Sequence, residues 1–200
     1  MEEKRMAYSE VKNSKIIDHG SLKMKDVNEE AREHRIIGEV FDYFVYPDGR
    51  KVLAREPDHN LIVANCSVLI ACLMKGESGY AGAAYWALGS GSETWSDVAP
   101  PSPLTSDTQL TAETYRKAIT SGDMEFLDVD NNTSVTPTNK IQITVTFTET
   151  EANGPLREFG IFGGLADGTA NSGLMINHKI HPLIYKTSAL QLERVLRLSF

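Results

Sequence analysis

Alternation with a period of two dominates the C-terminal half of this chain. In NKIQITVTFTE (residues 139–149), Ile141, Ile143, Val145 and Phe147 share one side, and Gln142, Thr144, Thr146 and Thr148 share the other. That is the pattern of a half-buried strand. LREFGIF (residues 156–162) follows an Asn153-Gly154 turn, so the two segments are expected to pair as an antiparallel hairpin. LMINHKI (residues 174–180) reads as a third strand. LERVLRLSF (residues 192–200) reads as the last, with Leu196, Leu198 and Phe200 inward and Arg197 and Ser199 outward. Earlier, IIGEVFDYFVYPDGRKVLA (residues 36–54) predicts a hairpin about Pro47-Asp48-Gly49.

Two segments break the alternation. LIVANCSVLIACLM (residues 61–74) is apolar apart from Asn65 and Ser67. Its length favours a helix over about 59–75, capped by Asp58 or Asn60 and ended by Gly76. A helix apolar nearly all round is expected in the core. LTAETYRKAI (residues 110–119) predicts a short second helix, with Ser106 and Gln109 as a capping box. Between them, residues 76–107 are rich in Gly, Ser and Pro and hold Trp86 and Trp95. Two such rings imply an anchored loop, with AAYWALG (residues 83–89) as a short strand inside it. The sum is a mainly β (α+β) chain. The expectation is an antiparallel β-sandwich-like domain over 36–200 with one buried core helix.

Residues 1–35 differ. They hold eight Lys/Arg and eight Asp/Glu with Tyr8 as the one aromatic, too polar for a core of their own. They are expected to form a charged N-terminal arm, either a mobile tail or an element that orders on a neighbouring subunit. The start, MEEKRMAYSE, has no apolar stretch, so no secretory leader is expected. The net charge of −7, without a basic patch, argues against nucleic acid as a partner. A 14-residue apolar run is too short for a membrane span. Cys66 and Cys72 are expected to be buried, reduced thiols.

GSGSETW (residues 89–95) lacks the third glycine of a dinucleotide loop and the Gly-Lys-Ser/Thr of a phosphate loop, so it reads as a turn of small residues. DVDNNT (residues 128–133) starts like a calcium loop, but Thr133 and Asn139 stand where glycine and glutamate are needed. His178 and His181 should point to opposite faces of an edge strand, which makes them poor partners for one metal. No nucleophile elbow is present. No cofactor is expected, and an enzyme is the least favoured class. Glu158 should face away from Phe159 and Ile161, on a side that Phe162 helps to cover. A half-buried carboxylate needs a cation or amide donors, and Lys186, Arg194 and Arg116 are candidates.

Taken in order, these features resemble proteins of bacteriophage tails of the tail-fibre, tail-collar or baseplate type. The resemblance covers about residues 60–200. It rests on the apolar helix, the YWALGSGSETWSD segment, and Leu110, Glu113 and Arg116 as a Leu-x-x-Glu-x-x-Arg unit. It continues with Ala152-Asn153-Gly154 ahead of Glu158, Gly160, Ile161 and Phe162, and with Pro182, Lys186 and Thr187 before the closing strand. The glycine-rich insertion at residues 163–174 and the arm depart from the pattern. The resemblance implies a non-enzymatic virion part, assembled in the host cytoplasm, that forms a trimer or hexamer and contacts other tail proteins. Its implied role is an adaptor between the tail tube or baseplate and the fibres. Glu158, Arg157, Glu113, Arg116, Lys186, Trp86 and Trp95 are then the structural and interface candidates. Two alternatives stay open: a carbohydrate- or receptor-binding module of a fibre, and a capsid or neck accessory protein.

Overall fold

The computed structural model describes residues 35–200, so the arm expected over 1–35 lies, but for Arg35, outside the described residues. Eleven strands follow in chain order: β1 (Ile37–Val45), β2 (Lys51–Leu53), β3 (Asp58–Ile62), β4 (Ala81–Gly89), β5 (Glu113–Ala118), β6 (Met124–Leu127), β7 (Thr133–Ser134), β8 (Lys140–Phe147), β9 (Gly154–Gly164), β10 (Leu174–Lys186) and β11 (Gln191–Ser199). One α-helix, α1 (Ala64–Lys75), sits among them, with a short 3-10 turn at Ser121–Asp123. The chain is mainly antiparallel β with a single α-helix among the described residues.

The strands run in the order β5-β4-β9-β10-β3-β1-β11-β8-β6-β7, with β2 on β1. Short β3 is the bridge. Its Leu61 and Ile62 pair with β10, while Asp58, His59 and Asn60 pair with β1. Side chains from both halves meet in one core. Val40, Ile143, Val145, Phe147, Leu196 and Leu198 come from one half, and Trp86, Leu88, Phe159, Ile161 and Ile184 from the other.

Several expectations are corrected. β8 and β9 do not form a hairpin: β8 lies between β11 and β6, and β9 lies between β10 and β4. The link at 148–153 is instead a crossover. Its turn is closed by Glu151, whose carboxylate accepts the Thr148 amide at 2.9 Å. Ala152 there takes a positive φ of 52°. The segment 110–119 is not a helix. Glu113–Ala118 pairs with the free edge of β4, and Thr114 and Tyr115 suit that pleated surface. With no helix there, the Ser106/Gln109 capping box has nothing to cap. A capping box does occur at Thr120 and Asp123. Phe200, expected inward, is exposed just beyond the end of β11.

The helix departs most. It begins at Ala64, because Asp58 and Asn60 belong to β3, and its N-cap Val63 gives no side-chain hydrogen bond. Gly76 does end it, in the left-handed region at φ 71°. α1 is not a buried core helix. It lies on β10, β4 and β9, and only Cys66 and Leu69 are buried. Both cysteines are free thiols, Cys66 buried and Cys72 half-buried.

Candidate functional site

Glu158 leaves β9 on the face away from Phe159, as its register requires, and is fully buried. None of the cations expected for it is its partner. Its Oε2 lies 3.1 Å from His178 Nε2 and accepts the Thr111 amide at 3.1 Å, while Oε1 accepts the Ala112 amide at 2.8 Å. The far nitrogen of His178 meets Asp107 Oδ2 at 2.7 Å. Burial pushes the Glu158 carboxyl upward, yet the bonds from His178 and the two amides outweigh it and hold the group below the usual carboxylate range. Burial pushes His178 down, and the two carboxylates more than reverse this, so its pKa is raised. An imidazolium thus bridges two carboxylates and fastens the loop ahead of β5 onto β9 and β10.

His178 and His181 do face opposite sides, but β10 is an inner strand, not an edge. Both rings are buried, because β9 and β3 flank the strand. His181 packs near Phe159 and Arg194.

The remaining candidates each secure a loop. Glu113 and Arg116 form a two-pronged ion pair, Nε to Oε1 at 2.7 Å and Nη2 to Oε2 at 3.0 Å, with both side chains almost fully buried. Residues three apart on a regular strand face opposite sides. A register shift between Leu88 and Gly89 bulges β5 and lets these two meet. Arg116 Nη1 then donates to the Asp167 carbonyl at 2.8 Å and to Ser172 Oγ at 2.7 Å, and Glu113 accepts the Asn171 amide. The glycine-rich insertion is therefore held by this pair. Arg157 reaches Asp97 Oδ1 at 2.8 Å and the Ser90 carbonyl at 3.3 Å. Lys186 is buried and donates to the Thr148 carbonyl at 2.7 Å and to Asn153 Oδ1 at 3.0 Å, which ties down the β8–β9 crossover. Burial lowers its pKa, with Glu149 and Glu151 partly offsetting that.

Trp86 is fully buried, its ring 5.4 Å from Phe159. Trp95 is half-buried, and its ring occupies the space a side chain on Gly91 would need. The glycines of GSGSETW thus serve close packing. A Cβ on Gly89 would lie 2.5 Å from Glu158 Oε1 and 2.7 Å from the Ala112 carbonyl oxygen, so a bare backbone there makes room for the Glu158 centre. In the DVDNNT loop, Asp128 Oδ1 accepts the Asp130 and Asn132 amides, each at 2.9 Å, an Asp-centred turn.

Two surface features complete the picture. Along α1 the exposed positions are Ala64, Ser67, Val68, Ala71, Leu73, Met74 and Lys75, all but Leu73 spaced as one helical stripe. Val68 is 50% exposed, Leu73 41% and Met74 85%. Charged residues normally occupy this face, but here only Lys75 is charged and no acidic residue lies in the first turn. Exposed Leu104 adjoins it, since the next residue, Thr105, accepts the Ala64 amide at 2.8 Å. The second feature is a shallow depression of about 440 Å³ on the outer side of β1, β11 and β8. Phe41 and Tyr43 supply its aromatic wall, and Lys51, Glu193, Gln142 and Arg197 its polar rim. These polar groups already pair with each other: Lys51 with Glu193 at 2.6 Å and Arg197 with Gln142 at 2.7 Å. Sequence reasoning missed His178 as the partner of Glu158 and Asp107 as the second partner of His178, because their separations in the chain carry no local signal.

No family model, curated protein or solved structure matches this chain. Among the described residues, no group of His, Cys, Asp and Glu is arranged to hold a metal ion. No helix there is long and apolar enough to cross a membrane.

Proposed function

We propose that this chain is a structural component of a phage tail or baseplate, an adaptor between the tail tube or baseplate and the fibres that works by self-association. The observation that carries the reading is the uncovered apolar stripe of α1. Burying such a side chain in full contributes about 1.5–3 kcal/mol; Met74, 85% exposed, has most of this to gain and Val68, 50% exposed, about half, so a partner is favoured there. A second copy is the partner the charges suit. The stripe holds one cation, at its end, so two copies can face each other without burying like charges. The candidate residues support the same role. Glu158, Glu113, Arg116 and Lys186 are committed to fastening loops and a crossover, as a scaffold requires. Under this reading the partners are further copies, as a trimer or hexamer, and other tail proteins, and the place of action is the virion.

Light scattering on the purified full-length chain tests this, followed by imaging of the assembly. A trimer or hexamer is expected. A strict monomer across the micromolar range, alone and mixed with other tail proteins, would overturn the reading.

The outer depression favours a second reading, carbohydrate or receptor binding, since Phe41 and Tyr43 offer faces for a sugar ring beside polar side chains. Trp86 does not contribute to it, being fully buried. Binding on a glycan panel that Tyr43→Ala abolishes would favour this reading over the first.

A further inference from the structure

The core carries a charge cluster that the assembly reading does not use. Asp42 of β1 and Arg194 of β11 stand opposite one another in register, both 0% exposed. Asp42 Oδ2 accepts Arg55 Nε at 2.6 Å, and Asp42 Oδ1 lies 3.4 Å from Arg194 Nε. Arg194 Nη2 lies 2.9 Å from His181 Nε2. His181 Nδ1 lies 2.7 Å from the Pro182 carbonyl, which can only accept, so Nδ1 holds the proton and Nε2 is the acceptor for Arg194. His181 is therefore neutral, and burial together with the Arg194 charge keeps its pKa well below the ordinary value.

The charges do not balance. Two guanidiniums share the single Asp42 carboxylate. The next charges outward, Asp58 and Lys179, pair with each other and cancel. Asp58 approaches Arg55 only at 4.0 Å. Among Arg55, Arg194, Lys179, Asp42 and Asp58 the cations outnumber the carboxylates by one.

The hydrogen bonds do not balance either. Arg194 Nε and Nη1, Arg55 Nη2 and Trp86 Nε1 are buried donors without an acceptor among the described residues. The orphaned acceptor among the groups of this cluster, Asp42 Oδ1, is the one already beside Arg194 Nε. Arg194 also lies 4.8 Å above the Phe159 ring, which packs on Trp86 and His181 as well. Surplus charge and surplus donors call for the same thing, a negatively charged acceptor.

We propose that Arg194 and Arg55 hold a small inorganic anion of the halide class inside the core, on the guanidinium donors that Asp42 and His181 leave free. A monatomic ion suits the place. It accepts N–H donors from any direction, brings a single charge, and asks for no donors of its own. Arg194 keeps its charge at neutral pH, its pKa being lowered by burial only to about 10. The ion would be a structural ligand joining the two halves, since Arg194 comes from β11 and His181 from β10.

The experiment combines crystals of the full chain soaked in sodium bromide with equilibrium unfolding at fixed ionic strength in sodium chloride, sodium bromide or sodium gluconate. An anomalous bromide peak is expected between Arg194 and Arg55. Stability should rise with halide concentration with the slope of one ion taken up on folding. Arg55→Lys keeps a cation on Asp42 but deletes Nη2, and should weaken the halide dependence at least tenfold. Unfolding that is the same in chloride and gluconate, with no bromide peak, would mean that water satisfies these donors and would overturn the proposal. A bromide peak with halide-independent stability would mark an adventitious ion only and overturn it equally. None of these readouts depends on oligomeric state, so the proposal stands or falls apart from the assembly reading.

Discussion

His178 Nε2 stands 3.1 Å from Glu158 Oε2, and both side chains are buried. With Asp107 on the other ring nitrogen, the imidazolium is the cation that lets a carboxylate sit between β9 and the loop before β5. Removing one partner leaves the other charged and alone. Glu158→Ala should cost about 3–5 kcal/mol of unfolding free energy. Glu158→Gln should cost less, because it keeps an acceptor for one amide. Urea denaturation measures both. The double variant Glu158→Gln/His178→Gln should be more stable than the sum of the single losses predicts.

The two buried histidines should give opposite pH responses. His178 has a raised pKa, so the stability it contributes is complete below its unfolded value, about 6.5, and is lost as pH rises through its folded value. His181 has a strongly lowered pKa, so its contribution is complete above about 6.5 and is lost as pH falls from there toward its folded value. Glu158 adds an acid limb, present above its unfolded value and lost as pH falls through its depressed folded value. In denaturation curves over about pH 4 to 9, His178→Gln should flatten the alkaline decline and His181→Gln the decline just below neutrality. NMR titration of the ring protons assigns each step.

The exposed stripe of α1 predicts a separation of stability from assembly. Val68→Lys and Met74→Glu lie at solvent positions and should change the stability of one copy by no more than about 0.5 kcal/mol. They should weaken self-association at least tenfold, read by light scattering over a dilution series. Unchanged association would move the interface elsewhere on the chain.

Gly89→Ala should be poorly tolerated although the change is one methyl group. The Cβ would collide with the Ala112 carbonyl and with Glu158, and both belong to the same fastened centre. A loss of about 1–3 kcal/mol is expected in thermal or urea unfolding. Gly49→Ala meets open space but keeps the cost of its positive φ of 82°, so it should lose less.

The amino-acid pattern alone determined which segments extend. The alternation in β8, β10 and β11 and the Pro47-Asp48-Gly49 turn follow from side-chain period and turn chemistry, which are local properties. The end of α1 at Gly76 is local in the same sense. Tertiary structure decided who pairs with whom. β8 and β9 are adjacent in the chain and carry a turn signal between them, yet Lys186 from β10 and the Glu151-closed turn send the chain across to the other half of the sheet. Residues 113–118 carry a helical spacing, and the open edge of β4 overrode it with a full ladder of backbone bonds. The 61–74 run was apolar enough for a core, but the space between the sheets was already filled by strand side chains, which left the helix on the outside. Glu158 and its partner His178 are 20 residues apart in the chain, and His178 and Asp107 are 71 apart, distances at which only the folded arrangement, and no local rule, brings charges together.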